Sequence, residues 1–289
     1  MDSRPGSILG ETLNANLYLA HPYRRPVIGW RAEIEGLSRE DALAFYRRWY
    51  MPNNAVVVVA GDVDPAEVLK MAERTYGQTP PGPGPERNVA AEPDQTAPRL
   101  VVYKDARVRQ PNWRRLYVAP TYVGADKTAY ALDVLGEILG GETGRLHKSL
   151  VLRSEIALQA AFWYDGDGRY FGSAGLFGLP RPGVDLETLE SAFDGEVARL
   201  LKDGVTEEEV IDAKRRLVAQ AIFARDSLDG PARIVGMALA TGQTVEDIEA
   251  WPERIEAVTK ADVDAAAKAL FREKWSTTGW LLPEDEDPS

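Results

Sequence analysis

Apolar side chains recur at helical spacing from residue 7 to 20, where Ile8, Leu9, Leu13 and Leu17 share one face. The run His21-Pro22-Tyr23-Arg24-Arg25-Pro26 breaks that pattern. Ser38, with Asp41 three residues on, predicts a capped helix whose buried stripe is Leu37, Ala42, Phe45 and Trp49. Pro52-Asn53-Asn54 stops it, and the aliphatic run Ala55 to Ala60 predicts a buried strand. Asp64, Pro65 and Glu67 then head a third helix that Gly77 closes.

Proline, glycine and alanine accumulate over residues 79–98, and a domain boundary belongs there. Residues 1–80 thus read as one unit, 81–98 as a Pro/Gly-rich linker and 99–285 as a second unit. The second unit opens with strands at Leu100–Tyr103 and Trp113–Val118, then a helix over 125–139 that ends at Gly140-Gly141. Residues 156–164 and 170–179 form a strand pair around Asp165-Gly166-Asp167-Gly168. Thr206 to Glu209 is a capping box for a helix running through Arg225. A last helix starts at Thr259, with Asp262 in the matching position, and the strand Thr277–Leu282 follows. Strands and helices mix without strict βαβ alternation, so the fold class is α+β, with mixed or antiparallel sheets packed against helices.

One pattern occurs twice. Trp30, Ile34, Glu35, Ser38, Asp41, Ala44 and Tyr50 recur as Trp251, Ile255, Glu256, Thr259, Asp262, Ala265 and Phe271, each 221 residues on. In both copies the capped helix leads into a run of strand character. Asp2-Ser3 and Asp226-Ser227 extend the match with the offset slipped by three. A duplicated domain accounts for this: a complete second copy over roughly 100–285, and a first copy present only in its rear part. Such a tandem would leave the sheet of the first copy incompletely covered.

Composition narrows the partners. A net charge of −11 and a pI near 4.9 disfavour nucleic acid and anionic membranes, both of which require clustered positive charge. The chain has no cysteine, which removes disulfides, cysteine-bound zinc and thiol nucleophiles. Ala55 to Ala60 is far too short to cross a bilayer, and the opening Met1-Asp2-Ser3-Arg4-Pro5-Gly6 lacks the apolar segment of a signal peptide. The acidic run from Glu284 to Asp287 reads as a solvated tail.

Few residues invite chemistry. His21, in a His-Pro-Tyr loop, is expected to shape that loop, and His147 to be a partly exposed structural residue. Asp165 and Asp167 resemble a calcium loop only faintly and fit a hairpin turn better. Arg114-Arg115 are expected to flank a strand at the surface, and Gly140-Gly141 to end a helix rather than cradle a phosphate.

Several segments together carry a family resemblance. They are His21-Pro22-Tyr23 through Gly29, then Phe45-Tyr46-Arg47-Arg48-Trp49-Tyr50 with Pro52-Asn53-Asn54, the aliphatic run, and Gly61-Asp62-Val63. The Asp64-Pro65 helix ending in Tyr76-Gly77, and Gly140-Gly141 followed by Arg145-Leu146, complete the set. The chain resembles the pitrilysin/insulinase/mitochondrial-processing-peptidase family of zinc metallopeptidases. That resemblance implies a tandem of two similar α+β domains, and a zinc site on the first: an H-x-x-E-H helix with two histidine ligands and a glutamate base, plus a distal glutamate. None of it lies in this chain, whose only histidines, His21 and His147, stand outside any such motif. Glu11 falls in a helix and is not the distal ligand. No catalytic residue and no metal ligand are therefore assigned here, and zinc is expected only in an intact parent. Family members carry an Arg and, seven residues later, a Tyr that hold substrate; those positions here are Val151 and Leu158, with Arg153 nearby but out of register.

The resemblance implies that the chain supplies the C-terminal half of a clamp around a peptide or unfolded-protein substrate, and that it is inactive alone. The alternative is a non-catalytic scaffold, or a peptide-binding partner of an active subunit. It also implies a homo- or heterodimer with a related subunit carrying the Arg/Tyr pair, and favours the periplasm over the cytoplasm.

Overall fold

The protein is described by a computed structural model that covers residues 4–124, 127–224, 227 and 229–284. The helix α1 (Pro5–Leu17) starts on a proline at its first position and buries Leu9, Leu13 and Leu17. Three more helices follow, α2 (Arg31–Glu35), α3 (Arg39–Trp49) and α4 (Pro65–Thr75). Each of the last two is capped as its sequence requires. Ser38 Oγ accepts the Asp41 amide while Asp41 accepts the Ser38 amide, and Asp64 accepts the amides of Ala66 and Glu67.

The remainder is built on one five-stranded sheet. In chain order come β1 (Arg99–Asp105), β2 (Asn112–Ala119), α5 (Thr128–Leu139), a π-helical turn at His147–Arg153, β3 (Ala157–Asp165) and β4 (Gly172–Pro180). Then come α6 (Leu186–Asp203), α7 (Glu207–Ala224), α8 (Gly230–Thr241), α9 (Val245–Glu249), α10 (Trp251–Glu256), α11 (Lys260–Leu270) and β5 (Ser276–Pro283). The spatial order is β1-β5-β2-β4-β3; β1 runs parallel to β5 and every other pair is antiparallel. The last strand of the chain thus sits inside the sheet, between β1 and β2.

The sheet is covered on both faces. On one, α5, α6, α7 and α11 enclose the main core, which includes Trp113 stacked on Phe193 at 4.6 Å between ring centroids, with Leu132, Leu135, Leu189, Ile255 and Val263. On the other, Leu9 and Leu13 of α1 close over Leu281 and Val108. Contact there is close: a Cβ added at Gly279 of β5 would stand 2.6 Å from Leu13 Cδ1, so the crossing requires glycine.

Three expectations fail, for one physical reason in two cases. Ala55–Ala60 is not a strand: no other strand of the described residues lies beside it to take its backbone hydrogen bonds, and Val56, Val57 and Val59 are exposed. For the same lack of an opposing layer, the expected buried stripe of α3 is open. Leu37, Ala42 and Phe45 are exposed, and only Trp49 is half-buried. Arg114 and Arg115 do not flank a strand; they lie within β2 on its two faces. Arg115 Nε donates to Thr278 Oγ1 at 3.0 Å and its guanidinium pairs with Glu190 and Asp194 of α6. Burial works against that charge, but the two carboxylates hold Arg115 protonated well above its usual range. Arg114, half-buried with its Nε unpartnered, is pushed down by desolvation. The helix proposed from residue 125 starts at Thr128 with Lys127 as its N-cap; residues 125 and 126 lie outside the described residues, as do Asp2, Ser3 and Asp226 of the repeat and most of the acidic tail.

The Pro/Gly-rich stretch over 81–98 has no helix or strand before β1, yet it is tied down. Glu92 accepts the backbone amides of Leu19, Ala20 and His21 at 2.6, 3.0 and 2.9 Å. The buried Gln95 donates to the Leu17 carbonyl at 2.7 Å, and Asn53 exchanges two hydrogen bonds with Gly82. It behaves as a strap stitching the end of α1 to the 51–54 turn.

Candidate functional site

Two regions collect the residues singled out by sequence. The first is the turn after α5. Leu139 ends that helix, Gly140 caps it, and Gly141 takes a positive φ of 68°, which only a glycine adopts cheaply. Gly144 has no room for a side chain, because an added Cβ would sit 2.0 Å from the Gly140 carbonyl oxygen. These constraints present Arg145, which pairs with Glu209 and donates to the Gly204 carbonyl at 3.1 Å. Glu209 in turn accepts the Thr206 amide at 2.7 Å, so one carboxylate serves a capping box and an ion pair together. Burial pulls the Glu209 carboxyl up, but the Arg145 guanidinium and the Thr206 amide outweigh it and leave the group below its usual value.

Beyond Arg145 the backbone loosens into i→i+5 bonding, with the Ser154 amide on the Ser149 carbonyl at 2.9 Å. Glu155 follows with φ 51°, the single non-glycine residue at positive φ among those described. Val151 lies mid-way along the π turn, half-buried against the core. Leu158, 48% exposed, begins the outer strand β3 at a bulge between Ala157 and Gln159. Neither side chain can donate a hydrogen bond. Arg153 lines a polar cleft of about 340 Å³ with Arg145, Lys148, Arg216, Glu196 and Glu209. His147, at the start of this turn, is half-buried, in keeping with a structural place.

The second region is the His21 loop. His21 is 1% exposed and accepts the Tyr23 amide on Nδ1 at 3.2 Å, which caps the short 3₁₀ turn Pro22–Arg24 and leaves the proton on Nε2. Nε2 has no hydrogen-bond partner, and the ring is boxed by Tyr18, Tyr23, Tyr170 and Phe171 at centroid distances of 5.8, 4.5, 5.5 and 4.9 Å. Burial lowers its pKa against the pull of Glu92. The expectation that His21 shapes its loop is met, and the loop is also a junction: Tyr23 Oη accepts the Arg169 amide across 146 residues at 3.2 Å. Beside it a cavity of about 750 Å³ opens between Tyr23, Val27, Ile28 and Ile34 on one side and Asp165, Asp167 and Phe171 on the other. Asp165 and Asp167 form the expected turn, with the Asp167 amide on Asp165 Oδ1 at 2.9 Å.

Among the described residues no three His, Asp or Glu side chains converge to hold a metal ion. A zinc ion does not fit the groups present among the described residues. No helix of the described residues is long and apolar enough to cross a membrane.

Sequence reasoning passed over one group. Asp133 interrupts the apolar run Ala131-Leu132-Asp133-Val134-Leu135 and is hydrogen-bonded by Tyr122 Oη at 2.9 and 3.0 Å. A carboxylate interrupting an apolar run was the available signal.

With this geometry in hand, comparison with known proteins is informative. Residues 36–217 match the peptidase M16 inactive domain. Zinc protease PqqE of Helicobacter pylori is 25% identical over 295 residues, covering 98% of this chain and 63% of that protein. The mitochondrial-processing peptidase subunit beta of Blastocladiella emersonii is 25% identical over 284 residues, covering 95% of this chain and 59% of the relative. Among solved structures, a protease from Helicobacter pylori superimposes with a TM-score of 0.86 at 23% identity over 97% of this chain and 68% of that one. The peptidase M16 inactive domain from Pseudomonas fluorescens gives 0.81 at 18% identity, over 98% and 66%. The chain spans about 60% of the length of these curated relatives. On the match over more than half its length, the chain belongs to the peptidase M16 inactive-domain family, the non-catalytic half of zinc-protease-like proteins.

Proposed function

We propose that residues 99–285 are the second, non-zinc domain of a zinc-dependent peptidase, that residues 1–80 are the rear of its first domain, and that 81–98 join them. In this reading the parent degrades or processes peptides held between two halves, and this chain contributes one wall of the enclosure. The zinc, its H-x-x-E-H helix and the general base belong to other parts of the parent, so the chain on its own has no hydrolytic activity.

The observation that carries the reading is the open apolar surface over 27–59. Val27, Ile28, Leu37, Phe45, Tyr50, Val56, Val57 and Val59 are all exposed, although the equivalent pattern near the C-terminal end is core. Exposed apolar area on this scale marks a contact surface. The packing of α8 supports it further: a Cβ at Gly236 would reach Val58 Cγ2 at 3.9 Å, and Val58 lies 221 residues before Gly279, where α1 crosses β5. The two helices thus cross equivalent segments, each reaching from its own unit to the other.

A second reading is favoured by Val151 and Leu158. Without hydrogen-bonding groups at those positions, the family's substrate contacts fall to a related partner subunit, and this protein serves as a non-catalytic scaffold or a peptide-binding partner of an active subunit. Relatives named as a processing-peptidase beta subunit and as part of complex III fit such association. A periplasmic setting rests on resemblance alone.

The test is peptidase activity on a quenched peptide library with added zinc. This chain is compared with the full product of its gene, each with and without a co-expressed related subunit. Activity of the full product alone, or only with the subunit, supports the first or the second reading respectively. Zinc-dependent turnover by the isolated chain would overturn both.

A further inference from the structure

Charges around the polar cleft beside the π turn do not cancel. Arg145 is spent on Glu209, and Glu196 of α6 is held by Arg199 and by the Ser149 hydroxyl. On α7, Arg216 donates through Nε to Glu137 at 2.6 Å, and Asp212 stands 3.7 Å from Arg215. Each carboxylate of the cleft thus has a cation of its own. The side chains of Lys148 and Arg153 line the same cleft, are exposed, and have no hydrogen bond or ion pair among the described residues. In a chain of net charge −11, this pair stands against the general field.

Backbone winding explains why both cations reach one cleft. Lys148 and Arg153 are five residues apart, and an α-helix of that length would leave them about 140° from each other. The i→i+5 turn at His147–Arg153 instead sets each residue one turn above the fifth before it, so both side chains fall on the cleft side. Single π turns occur often at functional sites. The cleft, of about 340 Å³, is larger than a lone ion needs. Its three carboxylates repel a doubly charged phosphate more than a singly charged carboxylate, and a planar carboxylate can accept two N–H groups from one guanidinium.

We propose that Lys148 and Arg153 form a carboxylate-binding subsite for a peptide, which takes an acidic side chain or a C-terminal carboxylate. The proposal rests on the reading of this chain as one wall of a peptide enclosure, and it names the peptides that wall prefers. Val151, between the two cations in the π turn, has no hydrogen-bonding group. The turn therefore holds peptide by charge at its two ends rather than at its middle.

The test is a low-salt NMR titration of the nitrogen-15-labelled full chain, followed at the amides of residues 143–153 and the arginine Nε–H signals. The probes are an end-blocked peptide with internal glutamates, its glutamine counterpart, that counterpart with a free C-terminus, and inorganic phosphate. Millimolar binding of the glutamate peptide or of the free-ended peptide supports the subsite, and the stronger of the two identifies the source of the carboxylate. Lys148→Gln and Arg153→Gln should each weaken it about threefold, and together about tenfold. Lys268→Gln, an exposed lysine of α11 outside the cleft, should change nothing. Both cleft side chains are exposed, so the variants should keep the thermal unfolding of the unaltered chain, and Lys148→Arg should retain binding. Salt of about 0.5 M should abolish the signal. No shift up to about 20 mM peptide overturns the subsite. So does equal binding of the blocked glutamine peptide, binding of phosphate alone, or unchanged affinity in the double variant. None of these readouts needs zinc, turnover or a partner subunit. Their failure leaves the zinc-peptidase reading standing, and an inactive full gene product would leave a binding cleft standing.

Discussion

Residues 30–60 and 251–281 follow one plan with opposite outcomes. The capped helices α3 and α11 begin and end 221 residues apart, and so do the 3₁₀ turns Pro52–Asn54 and Glu273–Trp275 that follow them. Both helices carry a reciprocal hydroxyl–carboxylate cap at the same position. Burial then diverges: Ile34 is 41% exposed and Ile255 fully buried, Tyr50 is 67% exposed and Phe271 7%. The run after the second turn becomes the inner strand β5, whereas Ala55–Ala60 stays extended and unpaired. Local sequence thus suffices for caps, helices and turns. A strand, and the burial of an apolar face, require neighbours that bring hydrogen bonds and surface.

The comparison breaks most directly at its isoleucines. Ile255→Ala should cost about 2–5 kcal/mol of unfolding free energy, as expected for truncating a fully buried aliphatic side chain. Ile34→Ala should cost less than about 1 kcal/mol, because the cavity it leaves is already open to solvent. Urea unfolding of the two variants measures the difference, and equal losses would show that residues 30–60 pack as tightly as their counterpart.

A smaller effect sharpens the helix crossing. Gly279→Ala drives a methyl into Leu13 and should destabilise by about 1–3 kcal/mol. Gly236→Ala at the equivalent crossing meets Val58 at ordinary contact distance and gains helix propensity, so it should be neutral or stabilising by up to about 1 kcal/mol. Thermal unfolding of both reads the contrast; destabilisation at Gly236 would mean that α8 lies closer to the 55–60 run than described.

The caps come next. Ser38→Ala and Thr259→Ala remove the same pair of hydrogen bonds, worth about 1 kcal/mol each in the helix concerned. Only Thr259→Ala should lower global stability by that amount, since α11 is integral to the core while α3 is largely exposed; Ser38→Ala should instead speed local amide exchange in α3.

The faintest difference lies in the cap carboxylates. Hydrogen bonds from the Ser38 hydroxyl and amide hold Asp41 below its usual value, and those of Thr259 do the same for Asp262. A depressed folded-state pKa contributes stability at pH values above the unfolded one, lost as pH falls through the folded value. Both should titrate by NMR below the ordinary carboxylate near 3.9, and a midpoint at or above it for either would mean that its cap bonds do not persist in solution.

Much of this architecture was legible before any coordinates. Ser38–Asp41, Thr206–Glu209 and Thr259–Asp262 announce helix starts, because a hydroxyl facing an amide three residues on is a local event. Gly140-Gly141 and the Asp165–Gly168 turn were equally plain. Arg115 was misplaced because its salt bridges come from α6, some 75 and 79 residues away, which no window along the chain can show. The candidate site was legible mainly as absence: Val151 and Leu158 can be read off, but the π turn and bulge that hold them cannot. Asp133 was passed over because its partner, the Tyr122 hydroxyl, comes from the loop before the helix and is set against it only by the fold.

By itself the sequence determined the starts of the capped helices, the turns, the α+β class and the 221-residue repeat, all of which follow from short-range spacing and the chemistry of neighbouring residues. Tertiary structure alone decided which of the two repeated runs becomes a strand, which apolar faces are core, and that the last strand enters the middle of the sheet. Those outcomes depend on backbone hydrogen bonds and contact area supplied by distant segments, and identical local patterns part company where such neighbours are present for one and not for the other.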